Sequence, residues 1–290
     1  MKKLIKCIIL TVIFLSPVMA MAQANPNIFT YKFGKAEVSL LQELQDEGNS
    51  SSLVGATPEI IKKCLPDGTY PRAYNAFLVR VSGKIILVDT GYGRNLINNL
   101  KSLGVAPEKV DAVLLTHTHG DHIGGLLNKD GTVAFRNATL YISKAEYDNI
   151  TNDNTKNESS RKVLEAYRTS KLRVFQPSGI DEKPTVLLPG IEAVAAYGHT
   201  PGHTMYMVVS GNEKFLLWGD ITQAMAVQIP YSEVAVSDAN IEMSIATRKK
   251  VLEFVAENDI PLGGAHIAFP GMGRVIKTLE DGYEFEPFVR

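Results

Sequence analysis

Cysteine is nearly absent from this chain: Cys7 and Cys64 are its only two in 290 residues. Cys7 lies in an N-terminal stretch that reads as removable, which leaves Cys64 alone and excludes an intramolecular disulfide. Cys64 follows an apparent helix over Pro58 to Lys63 and reads as a small buried hydrophobe rather than a nucleophile. An excess of positive charge is missing too, with 30 Lys and Arg against 31 Asp and Glu. Such a balance gives no electrostatic footprint for nucleic acid or anionic lipid. No internal repeat and no low-complexity linker divides the chain, so one large α/β domain is expected.

A long hydrophobic run is also lacking. The most apolar stretch, Cys7 to Leu15, is too short for a comfortable membrane span. Lys2, Lys3 and Lys6 precede it, and Ala20, Ala22 and Ala24 follow as small residues at a cleavage region. This pattern is that of an export signal over residues 1–22, with cleavage after Ala22 or Ala24. The mature protein, residues 23–290, would then be periplasmic or secreted, with no stable membrane span. Loss of three lysines takes the formal charge from −1 to −4.

Histidine is scarce as well, and what there is sits in three short motifs. His117, His119 and His122 lie in Thr116-His117-Thr118-His119-Gly120-Asp121-His122-Ile123-Gly124-Gly125, His199 and His203 in Gly198-His199-Thr200-Pro201-Gly202-His203, and His266 in Gly264-Ala265-His266. Neutral imidazole is the commonest protein ligand for zinc-like metals, so this clustering points to a metal centre. The first motif follows a largely apolar, strand-like run from Val110 to Leu115. In extended backbone, residues two apart point the same way, which lets His117 and His119 grip one ion. Gly120 is expected to allow a sharp turn, after which Asp121 and His122 face a second ion.

The His-x-His-x-Asp-His run resembles the signature of the metallo-beta-lactamase fold hydrolases. Val88-Asp89-Thr90-Gly91, Gly198 to His203, Leu217-Trp218-Gly219-Asp220 and His266 fit the same pattern, so the resemblance runs from about Tyr74 to Phe288. It implies a four-layer αββα sandwich. It also implies that His117, His119 and His199 bind one metal ion and Asp121, His122 and His266 a second, with Asp220 bridging both. His203 and Asp89 would support these ligands rather than join them. Zinc beta-lactamases that hold two ions usually carry Cys at the second site, where this chain offers Asp220, which favours the lactonase, glyoxalase and phosphoesterase side. The stretches Gly219 to Gln228, Ala265 to Gly273 and Gly282 to Pro287 are similar to methyl parathion hydrolase and exported lactonase-like relatives.

Two divalent ions, zinc in those relatives, would make hydroxide available near neutral pH for attack on a carbonyl or phosphorus. Asp220 and Asp121 would be the carboxylates closest to that chemistry, Asp121 also relaying a proton. The expected activity is hydrolysis of a small lactone or activated ester, with phosphotriesters as side substrates, and the relatives imply a homodimer. Alternatives are a beta-lactam hydrolase, a thioester hydrolase of the glyoxalase type, a mononuclear iron oxygenase and a non-catalytic metal-binding module.

Coarse patterning places the motifs. Ala76 to Val81 and Lys84 to Val88 read as a hairpin around Ser82-Gly83, Arg94 to Leu103 as a helix and Ala138 to Ile142 as a strand. Ser143 with Glu146 reads as a capping box opening a helix through Asn149. Thr151 to Ser160 is polar and reads as an exposed loop, followed by a helix over Arg161 to Ser170. The 151–170 segment is placed either to cover the site or to form an ordinary connection. Tyr147 and Phe175 fit core packing better than a pocket wall. Thr185 to Leu188 and Ile191 to Ala196 read as strands, Thr204 to Ser210 and Lys214 to Trp218 as a second hairpin, and Thr247 to Asn258 as an amphipathic helix.

Overall fold

The structure, a computed structural model, describes residues 25–152, 158–168, 171–279 and 282–289. The expected signal segment and part of the 151–170 segment lie outside these residues. One seven-stranded sheet contains, in spatial order, β1 (Ile28–Phe33), β2 (Ala36–Asn49), β3 (Thr69–Val81), β4 (Lys84–Val88), β5 (Ala112–Leu114), β6 (Thr139–Ser143) and β7 (Leu172–Phe175). A second contains β8 (Thr185–Leu188), β9 (Ile191–Ala195), β10 (Thr204–Ser210), β11 (Glu213–Leu217), β12 (Leu262–Gly263), β13 (Met272–Lys277) and β14 (Tyr283–Pro287). Both sheets are mixed: β4 to β7 run parallel, as do β11 and β12, and the remaining pairs are antiparallel.

The period-2 alternation of the strands sorts their side chains into three apolar layers. Phe77, Val79, Ile86, Val88 and Leu114 of the first sheet meet Ala193, Tyr206, Val208, Phe215 and Leu217 of the second in the middle of the sandwich. The intervening residues Leu78, Leu87 and Val113 face outward, under Leu96 and Leu100 of α2 (Leu96–Ser102) and Val163 and Tyr167 of α5 (Glu158–Arg168). On the other outer face, Met205, Met207 and Leu216 pack against Val251, Leu252 and Val255 of α7 (Ile241–Glu257). Four further helices are α1 (Pro58–Cys64), α3 (Gly120–Ile123), α4 (Lys144–Asn152) and α6 (Met225–Gln228). The result is the expected αββα sandwich.

Several local expectations are corrected. Thr151 and Asn152 belong to α4, residues 158–160 open α5, and Ser160 is buried, so the exposed loop expected over Thr151 to Ser160 does not span that range. The physical reason is that the Ser160 hydroxyl donates to the Thr118 carbonyl at 3.0 Å. Arg94 and Asn95 stay out of α2 because Glu43 captures their backbone N–H groups, at 2.6 and 3.0 Å. Cys64 closes α1 rather than following it, and is only partly buried. Gly120 has no left-handed backbone, and a Cβ there would meet nothing within 4 Å. The turn at that point is a single turn of helix, which does not require glycine. Tyr147 and Phe175 pack against apolar clusters, as expected.

The middle layer generates a test. Phe215 is fully buried and stacks on Phe33, with ring centroids 5.9 Å apart. Phe215→Ala should cost about 3–5 kcal/mol of stability, read as a lower urea midpoint. An unchanged midpoint would show that this layer does not hold the two sheets together.

Candidate metal centre

The strands β4, β5, β9, β11 and β12 deliver their following loops to one edge of the sandwich. These loops carry Asp89, the run Thr116 to His122, His199, Asp220 and His266. Two cross-links bring the sheets together there: the Thr204 N–H donates to the Thr116 carbonyl at 2.9 Å, and the Tyr206 hydroxyl to the Leu115 carbonyl at 2.6 Å. Loops after strand ends are the usual seat of functional groups because the sheet fixes their origins.

All seven residues expected as ligands converge. His117 Nε2 lies 2.9 Å from His119 Nδ1, which lies 3.1 Å from His199 Nε2. Asp121 Oδ2 lies 3.6 Å from His122 Nε2 and 3.5 Å from His266 Nε2. Asp220 sits between these two groups. Its Oδ2 is 3.3 Å from His199 Nε2 and 2.8 Å from His266 Nε2, and its Oδ1 is 3.2 Å from His122 Nε2.

This donor set fits metal ions on two counts. Donors around a tetrahedral zinc-like ion, at roughly 2.0–2.1 Å from it, are about 3.3 Å apart, and the observed separations scatter about that value. His122 Nε2 and Asp220 Oδ1 are buried with no hydrogen-bond partner in the structure, although they face each other. A buried polar atom left so is costly unless something else coordinates it.

The far sides of the rings are fixed. His122 Nδ1 donates to Asp89 Oδ2 at 2.7 Å, His199 Nδ1 to Asp238 Oδ1 at 2.8 Å and His266 Nδ1 to the Ala73 carbonyl at 2.8 Å. The Thr116 hydroxyl donates to Asp89 Oδ2 at 2.7 Å and therefore accepts from His117 Nδ1, 3.0 Å away. Each of these four rings thus turns Nε2 towards the cluster, the arrangement that sets both tautomer and ring direction in metal sites.

Charge in the cluster is tightly coupled. Burial, with the neighbouring His122, pushes the His117 imidazole well below its usual range. Burial acting alone would raise Asp220, but His266, His122 and His117 outweigh it and hold the carboxyl well down. Burial likewise opposes charge on His122 and His266, yet Asp220 wins in both cases, joined by Asp89 at His122, and both imidazoles are raised. Asp121 is held at about 2, with His122 overcoming the effect of burial. The cluster therefore draws positive charge into a buried place.

His203 sits against the ligand candidates, and its hydrogen bonds are those of a supporting residue. Although close to His117 and Asp220, its Nδ1 donates to the Ala196 carbonyl at 3.1 Å and its Nε2 accepts the Asp220 backbone N–H at 3.0 Å. Both nitrogens are spent, and burial pushes its pKa down to about 3. Gly219 completes this contact: it has φ +60, and a Cβ there would lie 2.5 Å from His203 Nε2. Two residues were missed from sequence. Asp238 is an isolated acid before α7, and only its place in the fold brings it to His199. Glu146 was assigned to a capping box, but its carboxylate instead accepts from Thr118 and Thr200.

Comparison with known proteins bears on the fold that carries these residues. The family model for the metallo-beta-lactamase superfamily matches residues 69–232. The chain is 35% identical over 107 residues to the anti-Pycsar protein Apyc1 of Saccharibacillus brassicae, which covers 34% of this chain and 43% of that one. It is 25% identical over 175 residues to an N-acyl homoserine lactonase of Bacillus sp, covering 60% of this chain and 62% of the relative. The chain thus spans less than two thirds of the length of these curated relatives. The solved structure of AidC, a dizinc quorum-quenching lactonase in complex with a product, superimposes with a TM-score of 0.81 at 25% identity, over 91% of this chain and 98% of that one.

His203→Ala removes the acceptor for the Asp220 N–H and the donor to Ala196 at once. It should cost roughly 1–3 kcal/mol for each buried group left unpaired, measurable by urea denaturation of chelator-treated protein. A loss below that range would show that the ring is not what holds the Asp220 backbone.

Proposed function

Because the chain belongs to the metallo-beta-lactamase superfamily, we propose that it is a metal-dependent hydrolase of small lactones or activated esters, with phosphotriesters as side substrates. The observation that carries this reading is the position of Asp220, whose two carboxylate oxygens reach both groups of histidines. His117, His119 and His199 would hold one divalent ion, Asp121, His122 and His266 a second, and Asp220 both. The nitrogen-rich donor set, with no thiolate, suits zinc. The likeness to N-acyl homoserine lactonases supports a lactone over a beta-lactam or thioester.

Bound ions of this kind supply Lewis acidity and hydroxide near neutral pH. The chain's own residues do the rest. Asp220 neutralises charge between the two donor groups. Asp121, its side chain 16% exposed, is ionised at neutral pH and placed to pass a proton between the site and solvent. Asp89 and Asp238 keep His122 and His199 in the tautomer that presents Nε2.

Export through residues 1–22, a periplasmic or secreted location and a homodimeric state belong to the same proposal, as does the absence of nucleic-acid substrates. Among the described residues, no helix is long and apolar enough to cross a membrane. Intact mass of protein recovered outside the cytoplasm should place the start near Gln23 or Asn25, and size-exclusion chromatography reads the dimer.

The functional test is turnover by metal-loaded protein of a panel of lactones, aryl esters, phosphotriesters, thioesters and beta-lactams, with RNA and DNA included. Lactone or ester turnover should lead; faster beta-lactam turnover would reverse the reading. Asp220→Ala should lose at least one ion per chain and abolish most turnover, with metal content measured alongside, and two retained ions with near-parental turnover would refute the ligand assignment.

A pH dependence follows from the raised imidazoles. In metal-free protein His122 and His266 hold their protons to higher pH than usual, so an ion must displace those protons to bind. Affinity should therefore fall as pH is lowered. Calorimetric titration with zinc in buffers of differing ionisation enthalpy should show proton release, and none would mean that these rings are already neutral before the ion arrives.

A further inference from the structure

We infer that Glu146, on α4, is a positioning residue that sets the grip of the His117, His119 and His199 group, and acts on that group in preference to the Asp121, His122 and His266 group. The inference rests on the two-ion reading above and concerns a residue outside the ligand set.

Glu146 is 2% exposed. Its Oε1 accepts from the Thr118 N–H at 3.0 Å and the Thr118 hydroxyl at 2.6 Å, and its Oε2 accepts from the Thr200 hydroxyl at 2.7 Å and the Gly202 N–H at 3.2 Å. Thr118 is the residue between His117 and His119, while Thr200 directly follows His199. One carboxylate therefore ties the two loops, from different sheets, that carry all three histidines of the first group.

The surroundings are built for this contact. A Cβ on Gly202 would lie 2.1 Å from the Glu146 nitrogen, so only glycine lets the α4 N-terminus come this close. Ser143 donates to the Gly202 carbonyl at 2.6 Å, and Ser160 of α5 to the Thr118 carbonyl at 3.0 Å. Ser143, α4 and α5 are thus fastened behind the two histidine loops as a brace. His122 and His266 are fixed by other means, Asp89 and the Ala73 carbonyl. Asp89 also reaches the first group, through the Thr116 hydroxyl on His117, but Glu146 bonds to neither Asp89 nor Ala73, so its loss should weigh on the first group.

A carboxylate can accept at both oxygens, whereas a carboxamide turns an N–H group towards one pair of donors. Glu146→Gln should therefore release one of the two loops. Loss of a partner that orients ligands costs about 10–100-fold in metal affinity. The experiment is stepwise competition of zinc between the full-length protein and a chromophoric chelator, with cobalt(II) absorption as a second readout of coordination. Parental protein should bind two ions. In Glu146→Gln, one of the two affinities should fall at least tenfold while the other stays within about twofold. Thr200→Val, which removes a single donor, should weaken the same ion by less, and it keeps the test available if Glu146→Gln does not fold. Equal weakening of both ions in the folded variants, or no weakening, would overturn the inference. Fewer than two ions in the parental protein would overturn the two-ion reading and this inference with it.

Discussion

The constraint on which the structure turns is a buried negative charge. Asp220 is 4% exposed at the end of β11, and taking a carboxylate out of water costs several kcal/mol unless positive charge or donors surround it. Here the compensation comes from imidazoles on three other chain segments, so their loops must all arrive at one point. The sandwich meets that demand by running the strands that carry these residues towards a common edge, and by locking the two sheets with bonds from Thr204 and Tyr206 to the β5 end. The hydrophobic layers supply stability. The polar edge fixes where the loops stop.

How much of this was legible in sequence depends on how local the information is. Four candidate ligands lie between His117 and His122, and strand geometry with one helical turn brings them together, so the pattern could be read directly. The distant candidates His199, Asp220 and His266 were legible through their motifs. Asp238 and Glu146 were not, because a single acid near a helix end is indistinguishable from a cap until the fold shows its partners. In Ser143 and Glu146 one half of the expected box exists, the Glu146 N–H donating to Ser143 at 3.3 Å. The other half is overridden because Thr118, Thr200 and Gly202 offer the carboxylate four donors.

The fold was legible to a similar degree and for similar reasons. Short apolar runs bounded by turn residues, such as β10 and β11 around Gly211-Asn212, are legible near their observed bounds. The long β2 was not read, since its polar end, Gln45 to Asn49, has no apolar alternation, and its pairing with β3 instead holds it extended. Composition misled at Ser160, a polar residue that is buried because one backbone carbonyl needs its hydroxyl. Polar character predicts exposure only where no buried partner is waiting.

The supporting groups also reveal how two distant loops are joined behind the site. Asp238, which fixes His199, is followed by Arg248 on α7, a fully buried guanidinium. Its Nε donates to the Ile221 carbonyl at 2.8 Å, and its Nη1 to the Ser232 and Val234 carbonyls at 2.7 and 2.8 Å. Ile221 directly follows Asp220, and the Arg248 Nη2 lies 3.8 Å from Asp238 Oδ2. A planar fork that donates in fixed directions suits this task, whereas the single ammonium of lysine would not reach all three carbonyls. Burial pulls the guanidinium down to about 10, still charged at neutral pH, so it offsets Asp238 electrostatically while holding the Asp220 loop mechanically. The positions of Asp220 and His199 are therefore not independent: both depend on one fully buried arginine that belongs to none of the histidine motifs.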